Sequence, residues 1–217
     1  MDVIRISPEN SAGAVAAAGE VIRRGGIVAF PTETYYGLGA AYDNPGALGR
    51  LFALKRRPDK KPVPLIAGSV GKLDLVTPPP DRVTAAVIEA FWPGPLTLLL
   101  PAREGLSLLL TAGTAFVAVR IPGYSFALEL ARSHESLFTA TSANISGRPP
   151  AETAEAAADY FGGRLDLLID GGRTPGGAPS TIVAISKGTV TPVRKGQIPF
   201  ELVLEAVRKI QGGDAGA

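Results

Sequence analysis

Apolar and polar positions along this chain switch repeatedly between helical and strand spacing. The alanine-rich run 11–24 (SAGAVAAAGEVIRR) follows the cap candidates Asn10 and Ser11 and stops at Gly25-Gly26, which predicts a helix. IVAF at 27–30 predicts a short buried strand. Asn44-Pro45 opens a second helix through Leu54, with Leu48, Leu51 and Phe52 spaced by three and four. Further short apolar runs predict strands at 63–67, 96–101, 116–121, 137–141, 165–170, 180–185 and 189–194, and helical spacing predicts helices at 81–91, 125–133, 152–161 and 200–211.

Most of these strands are separated by a helix, the pattern of an α/β fold. The last two are joined by SKG alone, which requires an antiparallel hairpin. The expected architecture is a single-domain twisted mixed β-sheet with flanking helices. Repeats, low-complexity linkers and composition breaks are absent, so residues 1–211 read as one domain and GGDAGA, 212–217, as a disordered tail.

Composition removes several chemistries. The 217 residues contain no cysteine, which excludes disulfides, thiolate metal sites and cysteine nucleophiles. The single histidine, His134, stands among Arg132, Ser133, Glu135 and Ser136 and reads as a solvated loop residue, which argues against histidine-based catalysis or zinc binding. A net charge of +2 is too mild to announce a nucleic-acid binder, so local clusters matter more than the total. The N-terminus MDVIRISPEN lacks a signal-peptide core and no apolar run is long enough to span a membrane, which places the protein in the cytoplasm.

Polar chemistry collects at the ends of the apolar runs. KRRPDKKP (Lys55–Pro62) concentrates Lys55, Arg56, Arg57, Lys60 and Lys61 where a helix must end. Lys55 and Arg57 would not face each other on a regular helix, but Pro58 biases Arg57 out of it, so both cations can aim at one ligand such as a triphosphate. A solvated charge run at a helix end is the alternative. TSANISGRPP (Thr141–Pro150) sets Ser142 and Asn144 on one side of an extended backbone. FVAVRIP (116–122) places Arg120 inside an apolar strand, where a guanidinium needs an anionic partner. That partner is either a structural Asp or Glu or a substrate carboxylate held by the planar fork. In the second case, replacing Arg120 with alanine costs the ligand-free protein no stability.

The remaining segments say less alone. PTETYYGLG (31–39) reads either as a ligand loop, with hydroxyls at Thr32 and Thr34 and close approach allowed by Gly37 and Gly39, or as a strand-to-helix connection with incidental threonines. Walker A and dinucleotide fingerprints are both missing. Ser180 and Thr181 stand at the mouth of one strand and Arg194 and Lys195 at the end of its hairpin partner, while FWPGPLTLLL (91–100), with the only tryptophan, is assigned to packing.

Taken in this order, PTETYYGLG, ALKRRPDKKPVPLI, FWPGPLTLLL, VAVRIP, TATSANISGRPP, PSTIV and VRKG resemble the Sua5/YciO/YrdC family over roughly residues 10 to 200. The resemblance implies a YrdC/RibB-like α/β fold with a basic concave site, in the short bacterial form without a further C-terminal domain. It implies L-threonylcarbamoyladenylate synthesis, a nucleotidyl transfer from L-threonine, bicarbonate and ATP that releases pyrophosphate and serves t6A modification of tRNA. ATP contacts then fall on Lys55, Arg57, Lys61, Ser142, Asn144 and Arg194, and threonine contacts on Thr32, Thr34, Arg120, Ser180 and the backbone at Ala140. No residue is assigned as a catalytic nucleophile, and no metal ligand is assigned; Mg2+ is expected to arrive with ATP, since no carboxylate cluster is present to build a cage. Further implied partners are tRNA or double-stranded RNA and the downstream threonylcarbamoyl-transferase complex. The alternative function is a non-catalytic double-stranded RNA or tRNA-binding protein of the same family. Two departures stand out: Gly68, where longer members often carry histidine, and Ala184, where the STIVD pattern carries a carboxylate.

Overall fold

The computed structural model describes residues 1–213. In chain order the elements are β1 (Asp2–Arg5), α1 (Ser11–Arg23), β2 (Val28–Pro31), β3 (Tyr36–Gly39), α2 (Pro45–Lys55), β4 (Leu65–Ile66), a 3-10 helix (Val70–Leu75), α3 (Arg82–Phe91), β5 (Leu96–Pro101) and α4 (Leu108–Thr111). There follow β6 (Phe116–Arg120), α5 (Phe126–Ser133), β7 (Phe138–Thr139), β8 (Thr141–Ser142), α6 (Ala154–Phe161), a second 3-10 turn (Gly162–Arg164), β9 (Leu167–Asp170), β10 (Thr181–Ser186), β11 (Thr189–Arg194) and α7 (Phe200–Gly213). The expected tail lies outside the described residues from position 214 on.

The α/β character and the mixed pairing hold, but the strands divide into two sheets. One runs β1-β9-β2-β3-β8 and the other β11-β10-β5-β6-β4-β7. The β10–β11 hairpin is antiparallel, as the SKG connection required. Period-two alternation explains the first sheet's place between two helix layers. Val28 and Phe30 face α1 and α5, whereas Ala29 faces α2 and α6. Phe30 is fully buried, worth about 3 kcal/mol relative to exposure. The second sheet packs Leu96, Leu98, Val117 and Val119 against α3 and α7 through Val87, Ile88, Val203 and Val207. Trp92 belongs to this core and donates its indole N–H to Leu96 O at 2.6 Å, in keeping with a packing role.

Helix boundaries follow their caps. The Asn44 side chain accepts from Ala47 N at 3.0 Å and Asp81 from Thr84 N at 2.7 Å, each satisfying a free N–H at the start of a helix. α2 stops because Arg56 takes the left-handed conformation, φ 50°, which sends Arg57 away from the helix axis.

Two expectations are corrected. PTETYYGLG is no strand-to-helix connection: β2 and β3 pair antiparallel, Pro31 with Tyr36 and Val28 with Gly39. Its second glycine makes room for the core, since a Cβ on Gly39 would lie 2.7 Å from the Phe30 ring. The expected strand 137–141 is also split, because its ends serve different sheets: β7 pairs with β4 and β8 with β3. Ala140 is the crossing point, its N–H donating to Pro64 O at 2.9 Å.

Candidate functional site

A cavity of about 170 Å³ opens where the two sheets meet. The first sheet contributes the β2–β3 turn and β8. In that turn Thr32 Oγ1 donates to Tyr35 O at 2.7 Å and accepts from Thr34 N at 3.1 Å, so its hydroxyl closes the turn. Among the described residues Thr34 Oγ1 bonds only to Thr32 Oγ1, at 3.2 Å, and keeps capacity for a ligand. Gly176 N donates to Thr34 O at 2.7 Å and the Tyr35 hydroxyl to Gly177 O, which fastens the turn to the loop before β10.

The second sheet contributes guanidinium groups. Arg194 at the end of β11 donates through Nη2 to Ser180 O at 2.7 Å and to Ser180 Oγ at 3.0 Å. Ser180 Oγ also meets Thr97 Oγ1 at 3.0 Å. Arg57 comes from the loop after α2 and folds it back on itself, with Nε on Lys61 O at 2.9 Å and Nη2 on Pro62 O at 2.7 Å. Arg120 at the end of β6 is 8% exposed, and its Nη1 donates to Glu33 Oε1. The structural carboxylate that the strand pattern left open is therefore present, and Arg120 is not unpaired in the ligand-free protein.

These cations press on one another. Burial and then the neighbouring Arg194 lower the Arg57 pKa; burial and then Arg120 lower that of Arg194, although its outer surface is exposed at the cavity mouth. Arginine stays charged under such shifts. Glu33 is the one carboxylate bonded to these three guanidiniums among the described residues, so the cavity carries a surplus of positive charge suited to a polyanion.

Of the residues expected at the site, Thr32, Thr34, Arg57, Arg120, Ala140, Ser142, Ser180 and Arg194 line the cavity. Lys55 lies behind it, 1% exposed, with Nζ donating to Ser142 O, to Asn144 O at 2.8 Å and to Asn144 Oδ1 at 3.3 Å. Burial, and then Arg57, bring its pKa down to about 7. Asn144 accepts from Ser142 Oγ at 2.6 Å and donates to Arg148 O at 2.6 Å. Lys55 and Asn144 thus staple the turn that carries Ser142. Lys61 is exposed and does not line the cavity; its carbonyl accepts from Arg57 Nε.

Glu33, Tyr36, Ile66, Thr97 and Thr141 were not singled out by the sequence. Glu33 alone had a usable signal, an acid between the two threonines, but its partner is 87 residues away. Neither departure reaches the cavity. A Cβ on Gly68 would lie 2.0 Å from Ala131 O, so that position packs against the α5 backbone, and Ile66 is the nearby cavity wall. Ala184 sits within β10, opposite Leu99 and Thr191. His134 is not a freely solvated loop residue: its ring meets Phe138 edge-on at 5.6 Å, and burial and then Lys72 lower its pKa. No group of three or more His, Cys, Asp or Glu residues among those described could hold a metal ion, and no described helix is long and apolar enough to cross a membrane.

Comparison with known proteins gives the site a context. A protein of Pyrococcus abyssi named threonylcarbamoyl-AMP synthase is 36% identical over 91% of this chain and 58% of its own length, so the chain spans little more than half of that relative. One of the same name from Thiobacillus denitrificans is 36% identical over 84% of this chain and 96% of its own. The crystal structure of P. abyssi Sua5 complexed with L-threonine superposes with a TM-score of 0.86 at 36% identity, covering 94% of this chain and 60% of that one. Residues 20–196 match the Sua5/YciO/YrdC family model, described as "Telomere recombination", and with these matches the chain belongs to that family.

Proposed function

We propose that the chain forms threonylcarbamoyl-AMP and pyrophosphate from L-threonine, bicarbonate and ATP, acting as a nucleotidyltransferase in the cytoplasm. The observation that carries this reading is the convergence of Arg57, Arg120 and Arg194, with Thr34 and Ser180, on one cavity. Arg57 and Arg194 take the phosphates, with the exposed Lys61 adding attraction. Arg120 takes the threonine carboxylate, and the Thr34 and Ser180 hydroxyls with the backbone at Ala140 orient the rest. Lys55 and Asn144 act through the Ser142 turn that they hold.

The reaction needs no enzyme nucleophile. The threonine amine and bicarbonate combine to N-carboxythreonine with loss of water, and its new carboxylate attacks the α-phosphorus as pyrophosphate leaves. The protein's part is positioning and stabilisation of charge on the transferring phosphate. Magnesium enters as MgATP; Glu33 is engaged by Arg120, and among the described residues no group of three or more His, Cys, Asp or Glu could hold a metal ion. The adenylate then passes to a separate transferase complex for tRNA modification.

Pyrophosphate release should require L-threonine and bicarbonate together, with serine a poor substitute. Equal release without threonine, or none with Mg2+ and all substrates present, would refute the synthase reading. A family member that only binds RNA would instead be indifferent to threonine and lose its ligand steeply with salt.

A further inference from the structure

Glu33 reaches Arg120 from the β2–β3 turn, and both side chains are largely withdrawn from solvent, at 15% and 10% exposure. The contact is single-point: Nη1 meets Oε1, Glu33 Oε2 is buried without a hydrogen-bond partner, and the Arg120 guanidinium makes no other hydrogen bond among the described residues. Glu33 is packed from the other side by the loop after β6, where a Cβ on Gly123 would lie 3.4 Å from its Cγ. The fold thus places one negative charge against one of three cations and leaves that cation's remaining donors unspent.

From this we infer that Glu33 is a specificity-determining residue that divides the cationic wall into two anion sites. The inference rests on the proposed function. Three unopposed guanidiniums would attract a triphosphate in any register, including across Arg120, where it would block the amino acid. Attraction for a polyanion grows with the charge of the site, whereas a monocarboxylate gains much of its affinity from paired, directional hydrogen bonds. Neutralising Arg120 therefore penalises triphosphate there far more than it penalises a carboxylate, a discrimination by built-in repulsion. Arg57 and Arg194, whose hydrogen bonds go to neutral carbonyl and hydroxyl oxygens, keep their full charge for phosphate.

Calorimetric titration of L-threonine with and without magnesium inorganic triphosphate tests this partition. In the wild type the two ligands should bind independently, to within about twofold. In Glu33→Gln triphosphate should weaken threonine binding by about 5- to 150-fold, the usual span of coupling between sites. Glu33→Asp keeps the charge but withdraws the contact, so threonine should bind more weakly while remaining independent of triphosphate. The double variant Glu33→Gln/Arg120→Met removes the pair together and should lose threonine while holding triphosphate as the wild type does. If Glu33 merely holds Arg120 in place, Glu33→Gln and Glu33→Asp will weaken threonine alike with no competition, and the partition falls. Loss of triphosphate affinity in the double variant overturns it as well, even if Glu33→Gln fails to fold. A wild type that binds triphosphate but no threonine overturns the functional reading itself, a result distinct from either.

Discussion

The two walls of the cavity do different work with different chemistry. The wall from the first sheet offers hydroxyls and a backbone turn, and the one charge in that turn, Glu33, is negative and held by Arg120 rather than lining the cavity. The opposite wall and the α2 loop offer guanidiniums. Thr32 is committed to the turn through Tyr35 O and Thr34 N, whereas Arg120 and Arg194 retain donors beyond their internal bonds. One wall fixes shape and the other supplies affinity. A polar residue at a site can therefore matter by what it holds or by what it leaves unheld.

Arg120→Ala breaks this comparison hardest. It strands Glu33 as an unpaired, largely buried carboxylate, and removing one partner of such a pair costs about 3–5 kcal/mol. Thermal unfolding of the ligand-free protein should shift clearly downward, and threonine-dependent pyrophosphate release should fall away. The strand pattern alone left both partners open, and an Arg120 paired only with substrate would have cost no stability on removal. The difference is Glu33, and an unchanged melting temperature would show that the ion pair contributes nothing to the fold.

Lys55→Met probes the support behind the wall. It leaves the Ser142 and Asn144 carbonyls without their donor, at about 1–3 kcal/mol. The folded pKa of Lys55, about 7, lies below its ordinary 10.5. Between those values the unfolded chain holds more protons, so stability from this group rises with pH across that window and is lost as pH falls through 7. Denaturant titrations should show the Met variant missing that rise, so its deficit is larger at pH 9 than at pH 6. Parallel pH profiles for the two proteins would assign Lys55 no buried titration.

The two threonines give the smallest and sharpest contrast. Thr32→Val should cost about 1 kcal/mol of stability by opening the turn. Thr34→Val should barely move unfolding, yet raise KM for threonine. Equal effects of both changes on unfolding would remove the distinction between a turn-closing and a ligand-facing hydroxyl.

Much of this organisation was legible before the structure. Helices with clear periodicity fall where the sequence puts them: α2 after Asn44-Pro45 and α3 within the helical spacing of 81–91, its Asp81 cap emerging only in the structure. Cavity residues such as Arg120, Ser142, Ser180 and Arg194 stood out because a polar group interrupts or ends an apolar run. The β2–β3 hairpin was hidden because its turn contains no Asn-Gly or Gly-Gly signal and is closed by the Thr32 side chain instead. β1 was hidden because only four residues, DVIR, form it, and three of them are exposed. Lys55, expected at ATP from its place in a basic run, stands 1% exposed behind the cavity, and that depth leaves no mark in a run of charged residues. Pairing across long sequence separations, Arg120 with Glu33 above all, leaves no periodic trace.

The crossing at Ala140 sets a rule about length. Thr139 belongs to one sheet and Thr141 to the other, with a single residue between them. A strand's side chains alternate, so one inserted or deleted residue here would turn Ser142 to the opposite face and shift its pairing with Gly37. Substitutions can be absorbed at this junction, but a change in residue count cannot. The distance along the chain from the second sheet to the Ser142 turn is therefore a fixed gauge, and any variant of this protein that keeps its cavity must keep that gauge.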